Sequence, residues 1–272
     1  MSERVRRGCA VVAKVVLAGA VGLAVWVYLS LRPEPQPDVG KAARSATARA
    51  ADRALTVQLD GQIDRLRAAL PWAAYLGTTV ADVCTTDSTT TAFTFTRQRW
   101  LPVTCTRTTT MYEAFDGDFL ERLGQLDAAL TAAQWRADWR GYPSYPRPRP
   151  GLVAAYDYSR PSPTSGAPDG APLPGSASVR YDVPITSDFV PPADSMTRGK
   201  PSGSVEVVQG PHLPNLDDGT SAHDTALKYP TVKTHHYVDW QQYSHARLAA
   251  DAYPAHGAVL AVSITGSYNT GP

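Results

Sequence analysis

Ala258-Val259-Leu260-Ala261-Val262-Ser263-Ile264-Thr265-Gly266-Ser267-Tyr268 is the stretch on which the fold turns. Its Val259 to Ile264 run is the most apolar of the expected strands, so it is placed centrally in a sheet. Immediately upstream, 240–252 reads as a short helix and 229–239 as a strand. Further back, short strands are expected at 205–209, 176–183 and 151–159. The last two flank a Pro/Gly/Ser-rich insertion, 160–175, that is long for a hairpin tip and is expected to be mobile. Residues 141–151 alternate prolines with Tyr142, Tyr145, Arg147 and Arg149 and read as a connector, with a ligand for an aromatic groove as the alternative.

Two helices are expected to cover this sheet. Leu55, Leu59, Ile63, Leu66 and Leu70 form one helical stripe that Pro71 ends. The stripe packs on its own sheet or, alternatively, on a partner helix. Asp116-Gly117-Asp118 supplies an N-cap for a second stripe of Phe119, Leu123, Leu126, Leu130 and Ala133, with Trp135 and Trp139 closing its apolar face. The same triplet invites a calcium reading, but the ligand pattern of a calcium loop does not continue.

Between the helices, Thr91-Ala92-Phe93-Thr94-Phe95-Thr96 alternates as a half-buried strand, with 101–112 as its partner across Arg97-Gln98-Arg99. The interleaved aromatic residues favour a packed sheet over an O-glycosylated stalk. The expected fold is therefore α+β: a mostly antiparallel sheet with two principal amphipathic helices on one face, preceded by a single N-terminal transmembrane helix.

That last element comes from Arg4, Arg6 and Arg7, which stand before an apolar run interrupted only by Lys14. From Val15 to Leu31 no residue is charged, which spans roughly 25 Å as a helix; with Lys14 snorkelling, the run can cross a bilayer. The basic flank keeps the N-terminus cytoplasmic. A cleaved signal peptide is the rival reading, but Ala18 and Ala20 lie in mid-run, and cleavage there would leave Trp26 and Tyr28 in an exposed apolar tail. The expected organisation is a cytoplasmic tail at 1–9, an anchor at 10–31, a proline-opened tether at 32–45 and an extracytoplasmic α+β domain at 46–272, all on the plasma membrane.

The chain of 272 residues carries 26 basic and 25 acidic side chains, and its part beyond residue 32 holds 21 against 24. A mildly acidic exported domain has no electrostatic basis for binding nucleic acid. Cys84 and Cys105 are the two cysteines of that part, and an oxidising compartment is expected to join them. Their spacing is unlike the Cys-x-x-Cys of redox motifs. Cys9 precedes the anchor and reads as a cytoplasmic-side thiol.

All six histidines fall between His212 and His256. His235, His236, Asp239 and His245 crowd together, and in an extended 231–239 segment His235, Tyr237 and Asp239 share a face. His235, Asp239 and His245 are the candidate zinc ligands; the plainer reading is that these histidines cap loops or sit half-exposed. Asp217 and Asp218 could add carboxylates, although Asp217-Asp218-Gly219 reads as a turn. The chain has no His-Glu-x-x-His, Gly-x-Ser-x-Gly, Gly-x-x-x-x-Gly-Lys or Gly-x-Gly-x-x-Gly arrangement.

Cys84-x-x-Asp87, Val103-x-Cys105-x-Arg107 and Phe115-Asp116-Gly117-Asp118-Phe119, with the leucine-rich helix ending at Trp135, resemble uncharacterised single-pass or secreted proteins of high-GC Gram-positive bacteria. The Ala, Arg, Thr and Pro bias fits that background. The resemblance implies an envelope location and carries no activity and no catalytic residues. The expected function is a non-enzymatic binding or interaction module at the outer face of the membrane, without a cofactor, whose partner is an envelope protein or a small ligand. The alternatives are a zinc-assisted hydrolase using His235, Asp239 and His245, and an envelope sensor acting through its membrane helix.

Overall fold

The structure, a computed structural model, describes residues 34–88, 100–138, 151–159, 175–185, 201–210, 214 and 234–271. The chain divides into two compact units, residues 1–37 with 86–102 and residues 38–85 with 103–272. In the first, Ser88 and Trp100 form an isolated antiparallel bridge, Leu101 N donates to Asp87 O at 2.7 Å and Trp100 Nε1 donates to Glu34 O at 3.1 Å. The expected tail 1–9, anchor 10–31 and strand 91–96, and all but Gly175 of the insertion 160–175, lie outside the described residues. Among the described residues no helix is long and apolar enough to cross a membrane.

The second unit is α+β. In chain order its elements are α1 (Val39–Ala43), α2 (Ala46–Ala69), β1 (Ala74–Thr85), β2 (Thr104–Phe115), α3 (Phe119–Ala132), β3 (Arg136–Ala137) and α4 (Leu152–Ser159). They continue as β4 (Ser176–Asp182), β5 (Ser202–Gln209), β6 (His235–Gln241), α5 (His245–Ala252) and β7 (Ala258–Asn269). The seven strands form one sheet in the order β3-β4-β5-β7-β2-β1-β6, and every neighbouring pair is antiparallel. The apolar strand β7 is the middle one, as its composition requires: only Thr265 and Asn269 escape full burial.

One face of the sheet carries the larger core. Leu55, Leu59, Ile63 and Leu66 of α2 and Leu123, Leu126 and Leu130 of α3 meet Val205, Val207, Leu260, Val262 and Ile264 there. Each such side chain contributes about 1.5–3 kcal/mol by leaving water. Helix α2 starts at Ser45, whose Oγ accepts from Ala48 N at 3.0 Å and donates to Thr270 O at 2.9 Å, and it ends at Leu70 before Pro71. Helix α3 is capped by Asp118, which accepts from Glu121 N at 2.8 Å. On the opposite face α5 sets Leu248 and Ala252 against Tyr112, Ala114, Val259 and Ala261.

The even-numbered threonines of β2 also belong to that opposite face. Thr106 pairs with Ser267 at 3.1 Å, Thr108 with Thr265 at 2.9 Å, and Thr110 donates to Ser263 at 3.1 Å. The hydroxyls satisfy one another across the β2–β7 ladder, so a polar strand can lie inside the sheet.

Three expectations are corrected. The ladder partners of β2 are β1 and β7, not 91–96; in β1 itself, Ala74–Thr85, Gly77, Ala81 and Asp82 interrupt the strand-forming Tyr, Thr and Val residues, and the strand is held by pairing on both sides. Residues 151–159 hold the helix α4 rather than a strand. Asp127 of α3 accepts from Leu152 N at 2.8 Å and Val153 N at 3.2 Å, capping the helix from another element, while Leu152 and Ala155 are buried. Finally, the stretch expected as tether contains α1, capped by Asp38, and buries Val39 and Ala43 in the core.

Candidate functional site

Two neighbouring rows of side chains run across the helix-covered face at one end of β6, β1, β2 and β7. Register places His236, Cys84, Cys105 and Tyr268 in one row and Asp239, Asp82, Arg107 and Gly266 in the next. Cys84 and Cys105 are bonded and wholly buried, with Cα atoms 3.8 Å apart, as the sequence predicts. Antiparallel residues directly opposite each other are placed for such a link.

In the second row Gly266 leaves a gap that Leu55 of α2 fills; a Cβ on Gly266 would lie 2.6 Å from Leu55 Cδ1. This close seating of α2 brings Asp52, one turn before Leu55, to Arg107. The guanidinium then meets three carboxylates: Nη1 donates to Asp52 Oδ1 at 3.3 Å and to Asp82 Oδ2 at 3.4 Å, and Nη2 donates to Asp239 Oδ2 at 3.1 Å. Tyr268 OH lies 3.0 Å from Asp82 Oδ1 and 2.9 Å from Oδ2. Arg107 Nε, also buried, has no partner among the described residues.

The cluster is graded from interior to solvent. The side chain of Asp82 is 0% exposed, that of Asp52 23% and that of Asp239 49%. Burial pushes Asp82 up to about 7, aided by Asp52 and opposed by the Tyr268 hydroxyl and Arg107. Burial and the adjoining Asp82 likewise raise Tyr268, so its phenol stays protonated. Asp60, farther along α2, is raised by burial against the pull of Arg107. The arrangement can hold and release a proton, with Asp82 sealed beneath α2 and Asp239 at the solvent rim.

A second buried acid, Glu113 of β2, lies on the same face and is 2% exposed. Its Oε2 has no partner among the described residues, and burial pushes it up to about 7 with Arg67 opposing. At the other extreme, exposed Asp116 accepts from Gly257 N at 3.0 Å and pairs with His256 Nδ1 at 2.8 Å. These bonds hold its carboxyl below the usual carboxylate range. Asp116 thereby ties the end of β2 to the turn before β7, while Asp118 takes the capping role.

The sequence-derived zinc candidates do not converge. A register shift between Asp82 and Val83 sets His235 opposite Thr85 and Tyr237 opposite Val83, but Asp239 opposite Asp82. Asp239 therefore shares a face with His236, not with His235 and Tyr237, because the bulge breaks the strict alternation. His235 Nδ1 pairs with Thr234 Oγ1 at 2.9 Å, Asp239 is taken by Arg107, and His245 opens α5 on the opposite side of the sheet. Among the described residues no group of three or more His, Cys, Asp or Glu is placed to hold a metal ion. Asp217 and Asp218 lie outside the described residues.

Arg107, Asp52, Asp82, Tyr268 and Glu113 were not expected as a site. The one signal available was parity, since Arg107 and Cys105 alternate with the even-numbered threonines and so face the core with the disulfide. Compared with models of protein families, with curated proteins and with solved structures, the chain matches none.

Proposed function

We propose that this protein is a single-pass module anchored in the plasma membrane by residues 10–31, with its α+β domain on the extracytoplasmic side, where it binds an envelope protein or a small ligand without catalysing a reaction. The observation that carries this reading is the Cys84–Cys105 disulfide in the interior, which belongs to an oxidising compartment, together with the uncharged run that precedes the domain. The inward-turned charges support it further. Arg107 spends both Nη groups on carboxylates of its own chain, and one of these, Asp82, is sealed from solvent.

The test uses the full-length chain expressed in a bacterial membrane. Protease added outside intact protoplasts should digest the domain, and a membrane-impermeant maleimide should label Cys84 and Cys105 only after denaturation with reductant. Recovery of the chain in the soluble cytosol with both thiols free would overturn the reading. Elemental analysis decides against the hydrolase alternative or for it: stoichiometric zinc that is lost in His235→Ala would replace the binding module by a metal enzyme.

A further inference from the structure

The Arg107 cluster joins three elements through one guanidinium whose two amino groups are unequally divided. Nη2 serves Asp239 of β6 at 3.1 Å, whereas Nη1 is shared by Asp52 of α2 at 3.3 Å and Asp82 of β1 at 3.4 Å. Nη1 carries an N–H bond for each acceptor, but two ionised carboxylates on one amino group in a low-dielectric interior repel each other, which favours the neutral form of one of them. Asp82 is that one: it is wholly buried, and burial keeps its proton on up to about pH 7 against the pull of the Tyr268 hydroxyl and Arg107. Asp52, by contrast, sits at the rim, where it also accepts from Thr56 Oγ1 at 3.3 Å.

We propose that this cluster is a proton-operated latch: with Asp82 neutral, Arg107 holds α2 through Asp52, and ionisation of Asp82 sets a second anion on the same amino group and expels Asp52 by repulsion, loosening the first turns of α2 while Asp239 keeps β6 in place. The step breaks one O–H bond and passes the proton to solvent. One cation against two anions becomes one cation against three, and the excess is relieved at the outermost carboxylate that shares a donor.

The charged and titratable groups facing Asp82 are Arg107 from β2, Tyr268 from β7, Asp239 from β6, and Asp52 with the more distant Asp60 from α2. Burial and Asp52 oppose its ionisation, and the Tyr268 hydroxyl and Arg107 favour it. Tyr268 stays protonated throughout, so it donates to either form. His236, in the adjoining row of β6, has its charged form disfavoured by burial and by Arg44, with Asp38 opposing, and adds no cation that would hold Asp52. This device goes beyond the proposed function and does not depend on it.

Amide hydrogen exchange of the full-length chain from pH 5 to 8, corrected for the intrinsic pH dependence, tests the latch. Protection of residues 46–56 should fall by up to about tenfold per pH unit and level off above pH 7, because opening is linked to the loss of one proton. Residues 235–241 should show no such step. Asp82→Asn should keep the low-pH protection at every pH, and an infrared band of a protonated carboxyl present at pH 6 should vanish in that variant. If Asp82→Asn fails to fold, Asp52→Asn serves: with no anion at 52 to expel, the step in α2 should disappear. A step of wild-type size in either folded variant, a step confined to β6, or no step in the wild-type chain would each overturn the proposal.

Discussion

Gly77 of β1 lies against the ring of Tyr243, so closely that a Cβ at this position would stand 2.6 Å from Tyr243 Cδ2 and 2.7 Å from Cε2. Tyr243 is 4% exposed, packs on Tyr112 with ring centroids 5.8 Å apart, and gives its hydroxyl to Asp251 of α5. The contact fixes how α5 sits on the second face of the sheet. Gly77→Ala should destabilise the chain by about 1–3 kcal/mol through overpacking. Tyr243→Ala in the same background should make the cost of Gly77→Ala nearly vanish, which a double-mutant cycle of urea midpoints reads directly. Additive effects would show that the contact is not the cause.

Gln62, 2% exposed on α2, connects two distant segments: it accepts from Trp135 Nε1 at 3.2 Å and donates to Pro184 O at 3.1 Å. Gln62→Leu strands the buried Trp135 Nε1–H without an acceptor and removes the bond to the carbonyl of Pro184, which lies at the surface. The expected loss is about 2 kcal/mol or more, because stranded polar groups cost more than a made hydrogen bond contributes. Denaturant titration checks it, and a quenched or shifted tryptophan emission should accompany the change at Trp135.

Cys84 and Cys105 close a loop with a sequence separation of 21, so replacing both by alanine should cost about 3 kcal/mol on the chain-entropy model. Both sulfurs are sealed in the core. Reductant should therefore act only on molecules that have opened, and the rate of thiol appearance should rise with urea in step with unfolding. Fast reduction of the native chain without denaturant would contradict this.

Stability should fall as pH rises from about 4 to about 7 and then level off. Asp82 and Glu113 have ordinary values of 3.8 and 4.5 and are both pushed up to about 7 in the folded chain. Between those limits the folded state holds protons that the unfolded state has lost, which favours folding at the acid end of the window. Each group contributes a slope of up to about 1.4 kcal/mol per pH unit. Glu113→Gln should roughly halve that slope and stabilise the chain at pH 8, as seen in urea midpoints measured at a series of pH values. A slope unchanged by the substitution would show that Glu113 is ionised in the fold.

The helical stripe Leu55, Leu59, Ile63, Leu66 and a cap within Asp116-Gly117-Asp118 were legible because helix periodicity and capping are local properties of a few adjacent residues, while the choice of Asp118 over Asp116 was the structure's. The central place of β7 was legible for a related reason, since an uncharged apolar strand has to be buried on both sides. The two cysteines could be paired because the expected compartment leaves them no other partner, and their register as opposed residues of β1 and β2 agrees.

Strand β1 and helix α4 were not legible. Each is decided by groups far along the chain: β1, whose strand formers are interrupted by Gly77, Ala81 and Asp82, by its neighbours β2 and β6, and α4 by the carboxylate of Asp127. The histidine and aspartate grouping failed at a single bulge, which moved Asp239 to the face away from His235.

By itself the amino-acid sequence determined which segments become the main helices, which strand lies in the middle and which two thiols are available to each other, because side-chain periodicity and solvent preference act within a few residues. Only the tertiary structure decided that Arg107 gathers Asp82, Asp52 and Asp239, residues 25, 55 and 132 positions away, and that the innermost of them keeps its proton. Ionisation depends on burial and on the charges brought close by the fold, and neither exists until the sheet and α2 have closed around them.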